Sequence, residues 1–195
     1  IKEAEKYGEI GYHSYGHPRM TRLDDESLRQ DFVNGVEIFE KHMGYKPKYF
    51  AVPYGEYDKR VIELTKEFGF DALLNQNSGA VSDKSDVFDL YRTPVEDGTK
   101  IALALNSKFL KAEWIFPKDY PQNNAIDEIT IKTDTNASEG KFFMTGFKGF
   151  KPVPMQNGVF SYKFAQPINK NKILMSLKID HQRTTKLLIK DINAK

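Results

Sequence analysis

Gly11-Tyr12-His13-Ser14-Tyr15-Gly16-His17-Pro18 sets two imidazoles four residues apart, directly after the short strand candidate Glu9-Ile10-Gly11-Tyr12. Two histidines at that spacing at a strand end can converge on one metal ion. Imidazole suits zinc, and a carboxylate suits it as a further ligand; a catalytic zinc takes three protein ligands and keeps one position open. Only two ligands are visible in this stretch. A bare His-x-x-x-His also occurs in ordinary loops, so its meaning depends on what surrounds it.

Outward from this stretch, strand and helix signals alternate. Thr21 to Asp25 offer N-caps, and Leu28, Phe32, Val36, Phe39 and Met43 recur on one helical face before Gly44, the expected C-cap glycine. Lys48-Tyr49-Phe50-Ala51-Val52 is a compact strand broken by Pro53-Tyr54-Gly55. A second helix is predicted from Glu56 to Phe68, closed by Gly69, and a further strand at Asp71-Ala72-Leu73-Leu74-Asn75. Strands separated by helices of this length imply a parallel sheet. From Pro117 the period changes to two: Ile129 and Ile131 alternate with Thr130 and Lys132, Phe160, Tyr162 and Phe164 with Ser161 and Lys163, and Ile173, Met175, Leu177 and Ile179 with Leu174, Ser176, Lys178 and Asp180. Turn residues at Asn136 to Gly140, Gln156-Asn157-Gly158 and Asn169 to Asn171 separate these runs. They predict a small antiparallel sandwich or barrel. The fold class expected is therefore α/β plus β, with a boundary at the Pro117–Pro121 stretch: residues 1–116, then 117–195. Trp114, Phe142, Phe143, Phe147 and Phe150 are read as core before sugar-stacking surface.

The 195 residues are 39% hydrophobic and 29% charged, with a mean hydropathy of −0.58. That supports a packed core in a water-exposed chain. The net charge is +2 and the basic residues are dispersed, which argues against a nucleic-acid partner. Cysteine is absent, so disulfides and thiolate metal sites are excluded. No run reaches the ~18 apolar residues of a membrane span. No Gly-rich phosphate loop is present, which disfavours a nucleotide-binding domain. The chain starts at Ile1 without Met, in what reads as a helix tail (Ile1 to Tyr7); it is expected to be a fragment or a processed product, and the lack of a leader says nothing about export.

Taken in order, Glu-Ile-Gly-x-His-Ser-x-x-His-Pro, a helix, Phe-x-x-Pro-Tyr-Gly, a second helix, Gly-Phe, a strand and the late Arg92 resemble the polysaccharide deacetylase family, carbohydrate esterase family 4 with the NodB-type homology domain. The resemblance runs from Tyr7 to Asp97. It implies a partial distorted (β/α) barrel at 1–116, followed by an accessory β-sandwich at 117–195. It implies hydrolysis of acetyl groups on a sugar polymer, with Zn2+ or another divalent metal polarising the acetyl carbonyl and activating water, a carboxylate base and a backbone N–H on the oxyanion. Carried over by position, His13 and His17 are the metal ligands, and Tyr54 offers its backbone N–H. Pro53 and Tyr54 line the acetyl pocket, and Arg92 orients a catalytic carboxylate. The implied substrate is a polysaccharide or peptidoglycan, and the implied location is secreted, periplasmic or cell-envelope.

The sequence also departs from the family. Thr-Phe-Asp-Asp, the first motif, which supplies the base and the third metal ligand, is absent. Asp24 and Asp25 follow the histidines at a helix start and are read as caps. Ala51 stands where the third motif usually has arginine. Leu177-Lys178-Ile179-Asp180-His181 matches the family's Leu-x-Ile-x-His, yet lies in the alternating region, where a strand satisfies it by period alone. At the expected place Ile101 to Asn106 reads as a barrel strand ending in Asn106, a poor proton donor. Weak zinc affinity and little turnover are expected of these residues alone. A partner chain or an upstream segment is expected to complete the barrel, whose missing strands would leave apolar edges. The competing reading is a non-catalytic carbohydrate-binding or structural module that retains the scaffold.

Overall fold

The computed structural model describes residues 1–99 and 101–190, which divide into two compact units. Of these, the first holds residues 1–76 and 86–92 and the second holds 77–85, 93–99 and 101–190.

In the first unit, α1 spans Asp25–Met43. Asp24 caps it, its side chain accepting from the Ser27 N–H at 2.7 Å, and Gly44 closes it in the left-handed region at φ 84°. Leu28, Asp31, Phe32, Gly35 and Val36 form its buried stripe. The strand β1 (Tyr49–Ala51) leads through the Pro53–Gly55 turn to α2 (Lys59–Glu67), capped by Asp58, and then to β2 (Ala72–Leu74). β1 and β2 pair in parallel, as the alternation predicts. Single bridges extend the layer on both sides: Tyr12 pairs in parallel with Phe50, and Leu90 with Leu74. The rings of Tyr12, Phe32, Phe50 and Phe70 form the middle of the core, with centroids 5.2–6.3 Å apart. Each such burial contributes about 2 kcal/mol. Gly35 is required by this packing, because a Cβ there would lie 2.2 Å from the Tyr12 hydroxyl.

Several elements differ from expectation. Ile1 to Tyr7 holds only a 3-10 turn, Ala4–Lys6. The expected barrel strand Ile101 to Asn106 is instead a short helix, α3 (Ile101–Leu105). Alternating Ala and Leu satisfy a strand period, but both are strong helix formers. Asn106 donates its N–H back to the Ala102 carbonyl and so continues that turn.

The second unit is antiparallel apart from one pairing. Its strands are β3 (Lys108–Phe109), β4 (Ala112–Phe116), β5 (Ile126–Thr133), β6 (Glu139–Met144), β7 (Lys151–Pro154), β8 (Val159–Ile168), β9 (Lys172–Ile179) and β10 (Gln182–Ile189). They form one sheet in the order β3-β10-β9-β6-β7 and another in the order β4-β5-β8, with β3 parallel to β10. Ile126, Ile129, Ile131 and Phe160 from the smaller sheet share one core with Phe142, Ile173, Met175 and Leu177 from the larger. The boundary expected at 116/117 is thereby corrected. β4 and Leu110 lie on its upstream side, yet Leu110 and Trp114 belong to the second unit's core. The Pro117–Pro121 stretch is a loop within that unit, where Tyr120 packs on the core and its hydroxyl donates to the Lys170 carbonyl at 2.8 Å. Phe142 and Trp114 are buried, as read from the sequence.

Asn157 and Gly158 both have positive φ, 49° and 76°, and join β7 to β8 as a tight turn flanked by the Gln156–Val159 bridge. A Cβ on Gly158 would lie 1.8 Å from the Thr135 carbonyl oxygen. Gly158→Ala is therefore expected to lower unfolding free energy by about 3 kcal/mol in urea melts, whereas Gly149→Ala, whose Cβ meets nothing within 4 Å, costs about 1 kcal/mol through its positive φ alone.

Candidate active site

All four segments of the parallel layer run in one direction, so their C-terminal ends lie along one edge, where α/β folds place working groups. His13 follows the Tyr12 bridge, Pro53 and Tyr54 follow β1, and Arg92 follows the Leu90 bridge.

The loop carrying the histidines is held from below by Asp31. This carboxylate is 8% exposed on α1. Its Oδ2 accepts from the Gly16 N–H at 2.9 Å and the Ser14 hydroxyl at 3.5 Å, and its Oδ1 accepts from the Tyr15 N–H at 3.2 Å and the Tyr12 hydroxyl at 3.4 Å. Tyr12 also donates to the Asp31 backbone carbonyl at 3.0 Å. Burial first, and then the charge of Asp31, drive the Tyr12 phenol far above its ordinary pKa, so it remains a donor. The Ser14 hydroxyl in turn accepts from the His17 N–H at 2.7 Å. Ser14 and His17 both have positive φ, 68° and 54°, which these bonds sustain.

The His13 Nδ1 lies against the Ala51 carbonyl oxygen. A carbonyl only accepts, so Nδ1 carries a proton, and in the neutral imidazole the lone pair is then on Nε2. That is the arrangement of a metal-ligating histidine, whose second nitrogen donates to a backbone oxygen. The His13 and His17 rings lie edge to face at 4.8 Å, and His17 meets the Tyr54 ring at 4.7 Å. Tyr54 is exposed and sits at φ 58°. Pro53 beneath it is buried. Gly55 allows the turn to pass close to Gln76, whose backbone nitrogen would lie 2.8 Å from an added Cβ. The Arg19 guanidinium stacks over the Tyr54 ring at 4.4 Å and pairs with the buried carboxylate of Glu56.

His13, His17 and Tyr54 thus form one contiguous group. Arg92 makes its own contacts: its Nε donates to the Asn75 carbonyl at 3.2 Å, while its Nη2 is buried without an acceptor among the described residues. His181 does not belong to the first unit. It occupies the two-residue turn between β9 and β10, in the second unit, so period alone accounts for its motif. Among the described residues no group of three or more His, Asp or Glu side chains could hold a metal. Among the described residues the two histidines could thus offer at most two of the three protein ligands that a catalytic zinc takes.

The family described as polysaccharide deacetylase matches residues 1–73. That match supports a polysaccharide deacetylase domain within residues 1–73. The chain is 39% identical over 66 residues to a Bacillus subtilis protein called "Uncharacterized protein YlxY", covering 34% of this chain and 21% of that one. It is 31% identical over 61 residues to a "Peptidoglycan-N-acetylglucosamine deacetylase" of Bacillus cereus, covering 31% of this chain and 22% of that one. The chain thus spans about a fifth of the length of these curated relatives. Among solved structures, IcaB from Ammonifex degensii overlaps 53% of this chain and 48% of its own, at 21% identity and a TM-score of 0.44, a likeness too low to build on. The family match ends before Arg92 and before the whole second unit.

Three residues of this site escaped the sequence reading: Asp31, Arg19 and Glu56. Asp31 carried a signal, since it stands on the apolar stripe of α1 between Leu28 and Phe32, where a carboxylate needs a buried partner. Asp31→Ala removes the acceptor for four donors. It is expected to cost about 2–4 kcal/mol of stability by urea melt and to disperse the His13 and His17 imidazole signals in NMR spectra of the folded fraction.

Proposed function

We propose that this chain is part of a zinc-dependent deacetylase that removes N-acetyl groups from a cell-wall or extracellular polysaccharide. In this reading the first unit is a portion of a distorted (β/α) barrel, and the second is an accessory β-sandwich. The protein acts outside the cytoplasm, in the envelope or in secreted form, on peptidoglycan or a chitin-like polymer. The observation that carries the reading is His13: its Nδ1 is committed to the Ala51 carbonyl and its ring packs against His17.

His13 and His17 hold the divalent ion through one nitrogen each, and Ala51 fixes the His13 tautomer. When bound, the ion supplies Lewis-acid polarisation of the acetyl carbonyl and acidifies water. The Tyr54 backbone N–H receives the developing oxyanion, and its positive φ fixes the direction of that turn. Pro53 and the Tyr54 ring wall the acetyl pocket, and Arg19 stacks on that ring. Arg92 orients the carboxylate base. Its buried Nη2, which has no acceptor among the described residues, supports that role, since a buried guanidinium nitrogen gains most from a charged acceptor. The base and the third ligand come from a segment or partner chain that these 195 residues do not include.

Calorimetry tests this directly. Zinc is expected to bind the 195-residue chain with micromolar affinity or weaker, and His13→Ala or His17→Ala should abolish the signal. Acetate release from an acetylated glucosamine oligomer should be absent in the chain alone. Zinc binding that survives both substitutions would refute the site. Zinc-dependent acetate release by the chain alone would refute the external base.

A further inference from the structure

The turn that carries Pro53 and Tyr54 is tied to the histidine loop on both of its flanks. Before it, the Ala51 carbonyl meets the His13 Nδ1. After it, the Glu56 carboxylate pairs with the Arg19 guanidinium at 2.5 Å. Arg19 directly follows His17-Pro18, so one cation reaches from the histidine loop across to the turn. The same guanidinium stacks over the Tyr54 ring at 4.4 Å, and that ring lies 4.7 Å from the His17 ring, edge to face. Glu56, Arg19, Tyr54, His17 and His13 thus form one unbroken series of contacts.

Folding alone does not call for this arrangement. A tyrosine at φ 58° is strained where glycine would not be, and its ring, on a residue 41% exposed, adds little to a core. What that ring does touch is His17 and Arg19. Glu56 is 4% exposed, and a carboxylate that deep holds its cation through a strong, charge-assisted bond. An arginine suits the place as a lysine would not, since a planar guanidinium can stack on a ring while its N–H groups donate. The His13 ring is restrained by its bond to Ala51. The His17 ring makes no hydrogen bond among the described residues, so packing restrains it, and the rings of Tyr54 and His13 supply that packing.

We infer that Arg19 is a positioning residue of the candidate site: anchored by Glu56, it holds the Tyr54 ring against His17 and so fixes both the second imidazole and the wall of the acetyl pocket. The inference rests on the metal-site reading of the two histidines. Its physical content is pre-organisation. A ring restrained before the ion arrives loses less freedom when the ion binds. Arg19 itself touches neither ion nor substrate in this role and acts through Tyr54.

NMR spectra of the metal-free 195-residue chain test the restraint, and zinc calorimetry tests its consequence. In the wild type the His17 ring protons should carry a ring-current shift from Tyr54. Arg19→Ala and Glu56→Gln should each move those protons toward their positions in an unfolded chain, while the Tyr12, Phe32, Phe50 and Phe70 signals of the core stay in place. Glu56→Gln removes the buried charge together with the anchor, so it serves where Arg19→Ala folds poorly. Arg19→Ala should weaken zinc binding about fivefold. In a Tyr54→Leu background the same substitution should change zinc binding little, because Arg19 acts through that ring. An unmoved His17 shift in both variants, an equal loss of zinc affinity with and without Tyr54, or loss of the core signals along with those of His17 in both variants would each overturn the inference. A wild-type chain that takes up no zinc would refute the metal site instead, and the His17 shift in the metal-free protein would still decide whether Arg19 positions Tyr54.

Discussion

The buried carboxylate of Asp31 collects the loop that carries both histidines, and the geometry of the candidate site depends on that gathering. Backbone N–H groups of a loop over an apolar core need acceptors, and a buried carboxylate needs donors. Tyr12, Ser14, Tyr15 and Gly16 satisfy both requirements at once. The same bonds sustain positive φ at Ser14 and His17, two non-glycine residues that would relax to other conformations in an isolated peptide. Gly35 completes the arrangement by leaving room for Tyr12 on α1.

Around this anchor the parallel layer does the positioning. Each of its segments ends at one edge, so residues far apart in sequence, such as His13, Tyr54 and Arg92, follow strand ends along it. The packed aromatic rings beneath keep that edge rigid. The two histidines and the buried Arg92 nitrogen belong to different strand ends.

The second unit is organised by another constraint. Two sheets share one core, and period-two alternation sends every second side chain into it. The same alternation sets Lys141, Lys178 and Arg183 across from one another on the other face of the larger sheet, with the Phe150 ring against the last two. Neither their adjacency nor the place of Phe150 among them can be read from spacing along the chain, because register between strands decides both.

Much of this architecture was legible in residue order. The apolar stripe of α1, its Asp24 and Gly44 ends, the strand at β1 and the alternating runs of β5, β8 and β9 follow from local propensity and period, which each segment carries within itself. The histidine motif was legible for the same reason. Other features were settled only by tertiary structure. Ile101–Leu105 satisfies two periods equally and became a helix. Trp114 joined the second unit's core because its strand pairs with β5. Asp31, Arg19 and Glu56 gained their roles through contacts with residues 15 to 37 positions away in the chain. Sequence determines what each segment prefers. Which polar groups meet across the fold is decided by packing, since a buried charge takes its partner from whatever the folded chain brings to it.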